Sequence, residues 1–193
     1  SKGQIKSLRS FVKVVKKNRL RNLRSRIPLK HIPKNAICAE IGVWRGSFSG
    51  DILKSNPKEL HLIDPWVYQD YDRWYGIPQE EMDVIHEDVV KLFGPNEAVT
   101  IHRKMSIETT FADNYFDWVY IDGNHDYEAV LADLRHYAPL IKQGGVLCGD
   151  DYGWTDKYAN GGPKRAVDEF ILETGYVADI DPKSNQFAIK GLF

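Results

Sequence analysis

The chain has 193 residues, 42% of them hydrophobic and 27% charged, with a formal net charge of −1. That length fits one domain with a substantial core, and no apolar stretch approaches the roughly 18 residues of a membrane span. The near-neutral charge conceals an asymmetry: residues 1–34 carry 12 Lys/Arg and no acid, against 14 basic and 27 acidic residues in the remainder.

Within residues 1–34, Ile5, Leu8, Val12, Val15, Leu23 and Ile27 recur at approximately helical spacing. This basic helical segment is expected to dock on, or lead into, the acidic body formed by residues 35–193. Contact with a membrane surface or an acidic partner is the second reading and nucleic acid the third. Nucleic acid is disfavoured because no reader motif accompanies the basic arm. The missing initiator Met suggests either a domain excised from a larger multidomain chain or a processed chain, and with no signal peptide ahead of the domain the expected location is cytoplasmic. Cys38 and Cys148 fall in apolar runs and read as small core residues of a reducing compartment.

After Pro33 a regular alternation begins. Residues 36–41 read as a buried strand, followed by Gly42-Val43-Trp44-Arg45-Gly46 and a helix over 47–55. Residues 60–63 form a second strand ending at Asp64-Pro65. An aromatic stretch, 65–76, precedes a helix over 79–93, a third strand at 98–102 and a short helix over 106–111. The apolar run 116–121 then delivers Asp122-Gly123-Asn124-His125. A helix over 127–142 leads to the run 144–149, which delivers Asp150-Asp151-Tyr152. Pro163 is placed to open a helix reaching residue 174, and 176–180 with 186–189 close the chain as an antiparallel hairpin. This order predicts an α/β fold with a mostly parallel sheet and helices on both faces.

A right-handed strand–helix–strand crossover puts the acids after both apolar runs on one rim of that sheet, where open α/β sheets bind ligands. Three clustered carboxylates repel unless a cation compensates them, so the pattern asks for a hard metal ion. The turn Glu40-x-Gly42-x-x-x-Gly46 lacks the dinucleotide spacing and the phosphate-loop lysine. Asp64 stands where an acid accepts from ribose hydroxyls. An adenosine ligand without a pyrophosphate and with positive charge fits these residues; a tight turn with a capping acid is the alternative.

The segments Ala39-Glu40-Ile41-Gly42-Val43-Trp44-Arg45-Gly46, Leu62-Ile63-Asp64, Tyr120-Ile121-Asp122-Gly123-Asn124-His125-Asp126-Tyr127 and Gly144 through Tyr152 resemble class I S-adenosylmethionine-dependent methyltransferases. More narrowly they resemble the metal-dependent O-methyltransferases that act on sugar hydroxyls of macrolide and aminocoumarin antibiotics. The resemblance spans roughly residues 35–190. It implies a Rossmann-like seven-stranded sheet of order 3-2-1-4-5-7-6 with strand 7 antiparallel. It also implies a cofactor site of Glu40, Gly42, Gly46, Ser47, Asp64, Met105, Ser106 and Asp122, with the glycines on the methionine moiety and Asp64 on the ribose. Met105 and Ser106 then lie near the adenine. Asp122, Asp150 and Asp151 are implied as ligands of a divalent ion, Mg²⁺, and His125 as the general base, with Asp122 beside it in catalysis. Trp44-Arg45 is bulkier than the family's usual loop residues.

The acceptor implied is a small molecule or glycan with vicinal hydroxyls able to chelate the ion. A catechol-like phenol is the alternative, but Asp-Asn is expected there instead of Asp150-Asp151. A non-catalytic binding module is a third reading, opposed by the intact acids. The aromatic stretch 65–76 offers either stacking faces for a carbohydrate or simple packing on the sheet. The glycine-hinged stretch 152–162 reads as a lid. His86, His102 and His136 receive no role.

Overall fold

The computed structural model describes residues 28–68, 76–154 and 161–190. Most of the basic segment, the centre of the aromatic stretch and the middle of the expected lid lie outside the described residues.

Seven strands, β1 (Ile37–Ile41), β2 (Glu59–Asp64), β3 (Val99–Arg103), β4 (Phe116–Ile121), β5 (Ile141–Gly149), β6 (Val177–Asp181) and β7 (Gln186–Lys190), form one sheet of order β3-β2-β1-β4-β5-β7-β6. The first five are parallel, and β7 runs antiparallel to both β5 and β6. This is the order and polarity the resemblance implies.

Burial explains why the central strands read as nearly continuous apolar runs: every residue of β1 is buried, as expected where helices cover both faces of a parallel sheet. Alternate side chains enter two separate cores. On one face Cys38, Leu60, Leu62, Trp118 and Cys148 pack with residues of helices α1 (Ser49–Leu53) and α2 (Gln79–Phe93). On the other, Ala39, Val119, Ile121 and Leu147 pack with α3 (Tyr127–Tyr137) and α4 (Gly162–Thr174). Helix α2 buries Ile85, Val89 and Phe93 at helical spacing. Both cysteines are buried free thiols, and burial pushes Cys38 up to about 12.

Four elements differ clearly from expectation. The helix expected over 127–142 stops at Tyr137, and a 3₁₀ turn, Ala138–Leu140, carries Pro139 into β5. Proline lacks the N–H a continuing helix needs and clashes with the preceding turn. Strand β5 therefore begins at Ile141 and bulges, so that Phe116 and Trp118 pair with Ile141 and Val146; Gly144, at φ +79°, takes up the excess chain. Helix α1 is shorter than the 47–55 expected, and the helix expected over 106–111 is one 3₁₀ turn, Ser106–Glu108.

The described end of the basic segment lies on the sheet. Pro28 O accepts from Trp118 Nε1 at 3.1 Å, and Leu29 and Ile32 pack against the first core. No helix among the described residues is long and apolar enough to cross a membrane.

Candidate active site

Because β1, β2, β4 and β5 are parallel, their carboxyl ends share one rim, and the predicted site residues gather there in two groups. The first group is the glycine turn after β1. Gly42 has φ +86°, and a Cβ on it would lie 2.2 Å from the carbonyl oxygen of Asp122. The glycine is thus required by the approach of the two loops to each other. Gly46, at φ +72°, abuts the Phe93 ring in the same way, while Ser47 is exposed.

Asp64 holds this turn from the end of β2. Its Oδ2 accepts from the amides of Val43 (3.0 Å) and Trp44 (2.9 Å), and Oδ1 accepts from the amide of Trp66 (2.8 Å). Those bonds use three of the about four acceptor positions of a carboxylate, leaving room for one more donor such as a ribose hydroxyl. Burial raises its pKa against the lowering effect of the three amides. The bulky Trp44 is accommodated because its backbone, at φ +48°, is anchored on both sides: Asp64 takes its amide and Trp66 Nε1 donates to its carbonyl at 2.9 Å. Its ring stays exposed beneath the Arg45 guanidinium, which also pairs with Glu81 of α2 at 3.1 Å.

Glu40 lies under the turn, 2% exposed, and accepts from the Ser49 hydroxyl. Burial pushes its carboxyl up to about 8. After β3, Met105 is exposed, whereas the Ser106 hydroxyl donates to Asp133 of α3. Burial pushes Asp133 up to about 6.

The second group is acidic. Sheet pairing continues one residue past β4 and β5: Asp122 N donates to Ile41 O at 2.8 Å, and Asp150 N to Ile121 O at 3.1 Å. Adjacent residues of a strand point to opposite faces, but Asp151 has left the strand at φ +55°. That turn swings its carboxylate to His125, whose Nε2 is 2.8 Å from Asp151 Oδ2 and 3.9 Å from Asp122 Oδ1. One ligand atom from each of Asp122, His125 and Asp151 lies within 4.8 Å of the others, and all three residues are half-buried. The imidazole stacks on Trp154, with centroids 5.0 Å apart.

Of the implied metal ligands, then, the structure brings Asp122 and Asp151 together and adds His125. Asp150 lines the same small cavity as Asp122, Asn124 and His125, but it is 5% exposed and its Oδ1 accepts from Gln186 Nε2 and from the Asp151 amide at 2.7 Å. Gln186 was not singled out from the sequence. Its only signal there is a glutamine sharing a strand face with Ala188, where an apolar side chain is the norm. The two half-buried carboxylates offer the oxygen donors that a hard divalent ion retaining water ligands takes, with the imidazole beside them.

Residues 39–152 match the family model described as a methyltransferase domain, more than half of the chain. The protein belongs to that family. The matched span opens inside β1 and closes just after the acidic turn, so it contains both groups of rim residues. Its fold is similar to that of the O-methyltransferase NovP, with a TM-score of 0.62 and 20% identity over 89% of this chain and 78% of that one. It is also similar to the N-methyltransferase NodS from Bradyrhizobium japonicum, with a TM-score of 0.60 and 13% identity over 90% and 93% of the two chains. NodS in complex with S-adenosyl-L-homocysteine gives a TM-score of 0.58 at 12% identity, over 90% and 84%. No curated protein matches the chain in sequence. This methyltransferase has the class I, Rossmann-like architecture, and of these neighbours in fold NovP is described as an O-methyltransferase and NodS as an N-methyltransferase.

Proposed function

We propose that this methyltransferase acts on a hydroxyl oxygen, with a divalent ion (Mg²⁺) at the acidic turn, and that the acceptor is a sugar with vicinal hydroxyls in a glycan or glycoconjugate. The convergence of Asp122, His125 and Asp151 carries the reading. In it, Asp122 and Asp151 hold the ion, with Asp150 beside them. When bound, such an ion lowers the pKa of a coordinated hydroxyl and stabilises its developing charge by several kcal/mol. Glu40, Gly42, Gly46, Ser47, Asp64, Met105, Ser106 and Asp122 surround the S-adenosylmethionine site, which supplies a methyl group on a sulfonium.

His125 is the general base. A carboxylate oxygen accepts, so the nitrogen facing Asp151, Nε2, carries the proton and Nδ1 holds the lone pair. Nδ1 takes the acceptor hydroxyl's proton, and Asp151 stabilises the imidazolium so formed. The acceptor oxygen gains the methyl carbon as the carbon–sulfur bond breaks. Stacking on Trp154 keeps the ring plane fixed during this transfer. The same indole beside the base gives a sugar ring an apolar face to lie against, and Asp150-Asp151 in place of Asp-Asn favours a sugar over a catechol.

Transfer of a labelled methyl group to a panel of sugar and phenol acceptors, with and without EDTA, tests this. Methylation of vicinal-diol sugars that EDTA abolishes and Mg²⁺ restores is expected. Full activity in excess EDTA removes the metal from the reading, and a phenol-only profile removes the sugar.

A further inference from the structure

Behind the acidic turn lies a buried polar relay that neither the cofactor site nor the base uses. The Tyr120 hydroxyl donates to Gln186 Oε1 at 2.9 Å; Gln186 Nε2 donates to Asp150 Oδ1, which also accepts the Asp151 amide at 2.7 Å. Tyr120 is 2% exposed and Gln186 1%. The relay crosses three strands, from β4 through β7 to the residue after β5, on the sheet face that also carries Glu40.

Each bond fixes the next. A tyrosine hydroxyl that donates must meet the amide oxygen, which turns the amide nitrogen toward Asp150. With one oxygen held by that nitrogen, Asp150 presents the same oxygen to the Asp151 amide. Together with Trp154 N on Asp151 O (2.8 Å) and Tyr152 N on Asn185 O (2.9 Å), this bond supports the left-handed backbone at Asp151, a conformation that non-glycine residues adopt at a cost of about 1–3 kcal/mol. The left-handed turn in turn brings Asp151 Oδ2 to His125. A satisfied buried polar chain of this kind specifies one geometry, and a broken one leaves charge without a partner.

We infer that Gln186, oriented by Tyr120, is a positioning residue for the acidic turn: it holds Asp150 back so that Asp151 meets Asp122 and His125. The inference rests on the metal reading proposed above. The test uses Mn²⁺ alone as the probe, titrated into the full chain and followed by loss of the free-ion electron paramagnetic resonance signal. Gln186→Met keeps length and volume and removes both bonds; Tyr120→Phe keeps the ring, which is stacked on Trp118, and removes only the orienting donor. Partners of this sort are worth about 10–100-fold in metal affinity, so a loss in that range is expected for Gln186→Met. Tyr120→Phe is expected to lose about threefold to tenfold. Turnover should fall in parallel while KM for S-adenosylmethionine stays constant, since the glycine turn is untouched.

A merely structural role lowers the melting temperature and leaves Mn²⁺ affinity in place. Unchanged Mn²⁺ affinity in both variants, with wild-type binding intact, overturns the inference and spares the metal reading. No Mn²⁺ binding by the wild type overturns both. If Gln186→Met does not fold, Tyr120→Phe decides the matter by the same titration.

Discussion

The two groups on the rim use their polar atoms in opposite ways. In the glycine turn nearly every polar group is committed inside the protein: Asp64 accepts three backbone amides, Glu40 is buried against Ser49, and Gly42 is pressed on the backbone of Asp122. In the acidic turn Asp150 is buried and held by Gln186 and the Asp151 amide. Asp122, His125 and Asp151 converge with part of their surface open. A region whose polar groups satisfy one another is a preformed support, whereas clustered carboxylates repel, and in the proposed reading a divalent ion compensates them.

Gly42 is where the two groups touch, so its replacement is the most severe way to break the contrast. Gly42→Ala forces a Cβ to 2.2 Å from the Asp122 carbonyl at a positive φ. A loss of more than about 3 kcal/mol is expected, read as a melting temperature lower by about 10 °C or as failure to fold.

His125→Gln acts on the open group alone. Turnover is expected to fall by about 10²–10⁴, with S-adenosylmethionine affinity by calorimetry unchanged. Loss of cofactor affinity in this variant would merge the two groups into one.

Glu40→Gln sharpens the contrast through pH. The folded-state pKa of Glu40 is raised from 4.5 to about 8, chiefly by burial. The folded state therefore binds the extra proton between those values. Stability associated with Glu40 is full below about 4.5 and declines as pH rises through about 8. Burial, Ser49 and Asp64 set this shift, and Gln186 and the acidic turn play no part in it. The advantage of Glu40→Gln over wild type should grow between pH 5 and pH 9, by on the order of 3 kcal/mol, in denaturant titrations at each pH.

Asp64→Asn has the smallest expected effect. An amide cannot accept at both ends, so at least one of the three bonds from Val43, Trp44 and Trp66 is lost. A cost of about 1–2 kcal/mol is expected by thermal melting. The weakened turn should bind S-adenosylmethionine less tightly while Mn²⁺ affinity holds.

The elements were legible where a single local rule decides them. Helix α2 and strand β4 lie where periodicity puts them, Gln79–Phe93 and Phe116–Ile121. The helix before β5 is shorter than its apolar spacing predicts, because that spacing continues through Pro139 and the proline outweighs it. The members of the site were legible as residue types at strand ends. Their partners were not, because Gln186 meets Asp150 only once β7 pairs with β5, 36 residues away along the chain.

Apolar periodicity and the glycines and acids that follow each run thus determined the alternating fold and the rim on which the chemistry lies. Tertiary structure decided which of two neighbouring acids faces the site. Asp150 and Asp151 are chemically the same, and a left-handed turn braced by bonds from another strand and loop sends one inward to Gln186 and the other to His125. Local sequence carries no preference between them, because the bond that separates them comes from another strand.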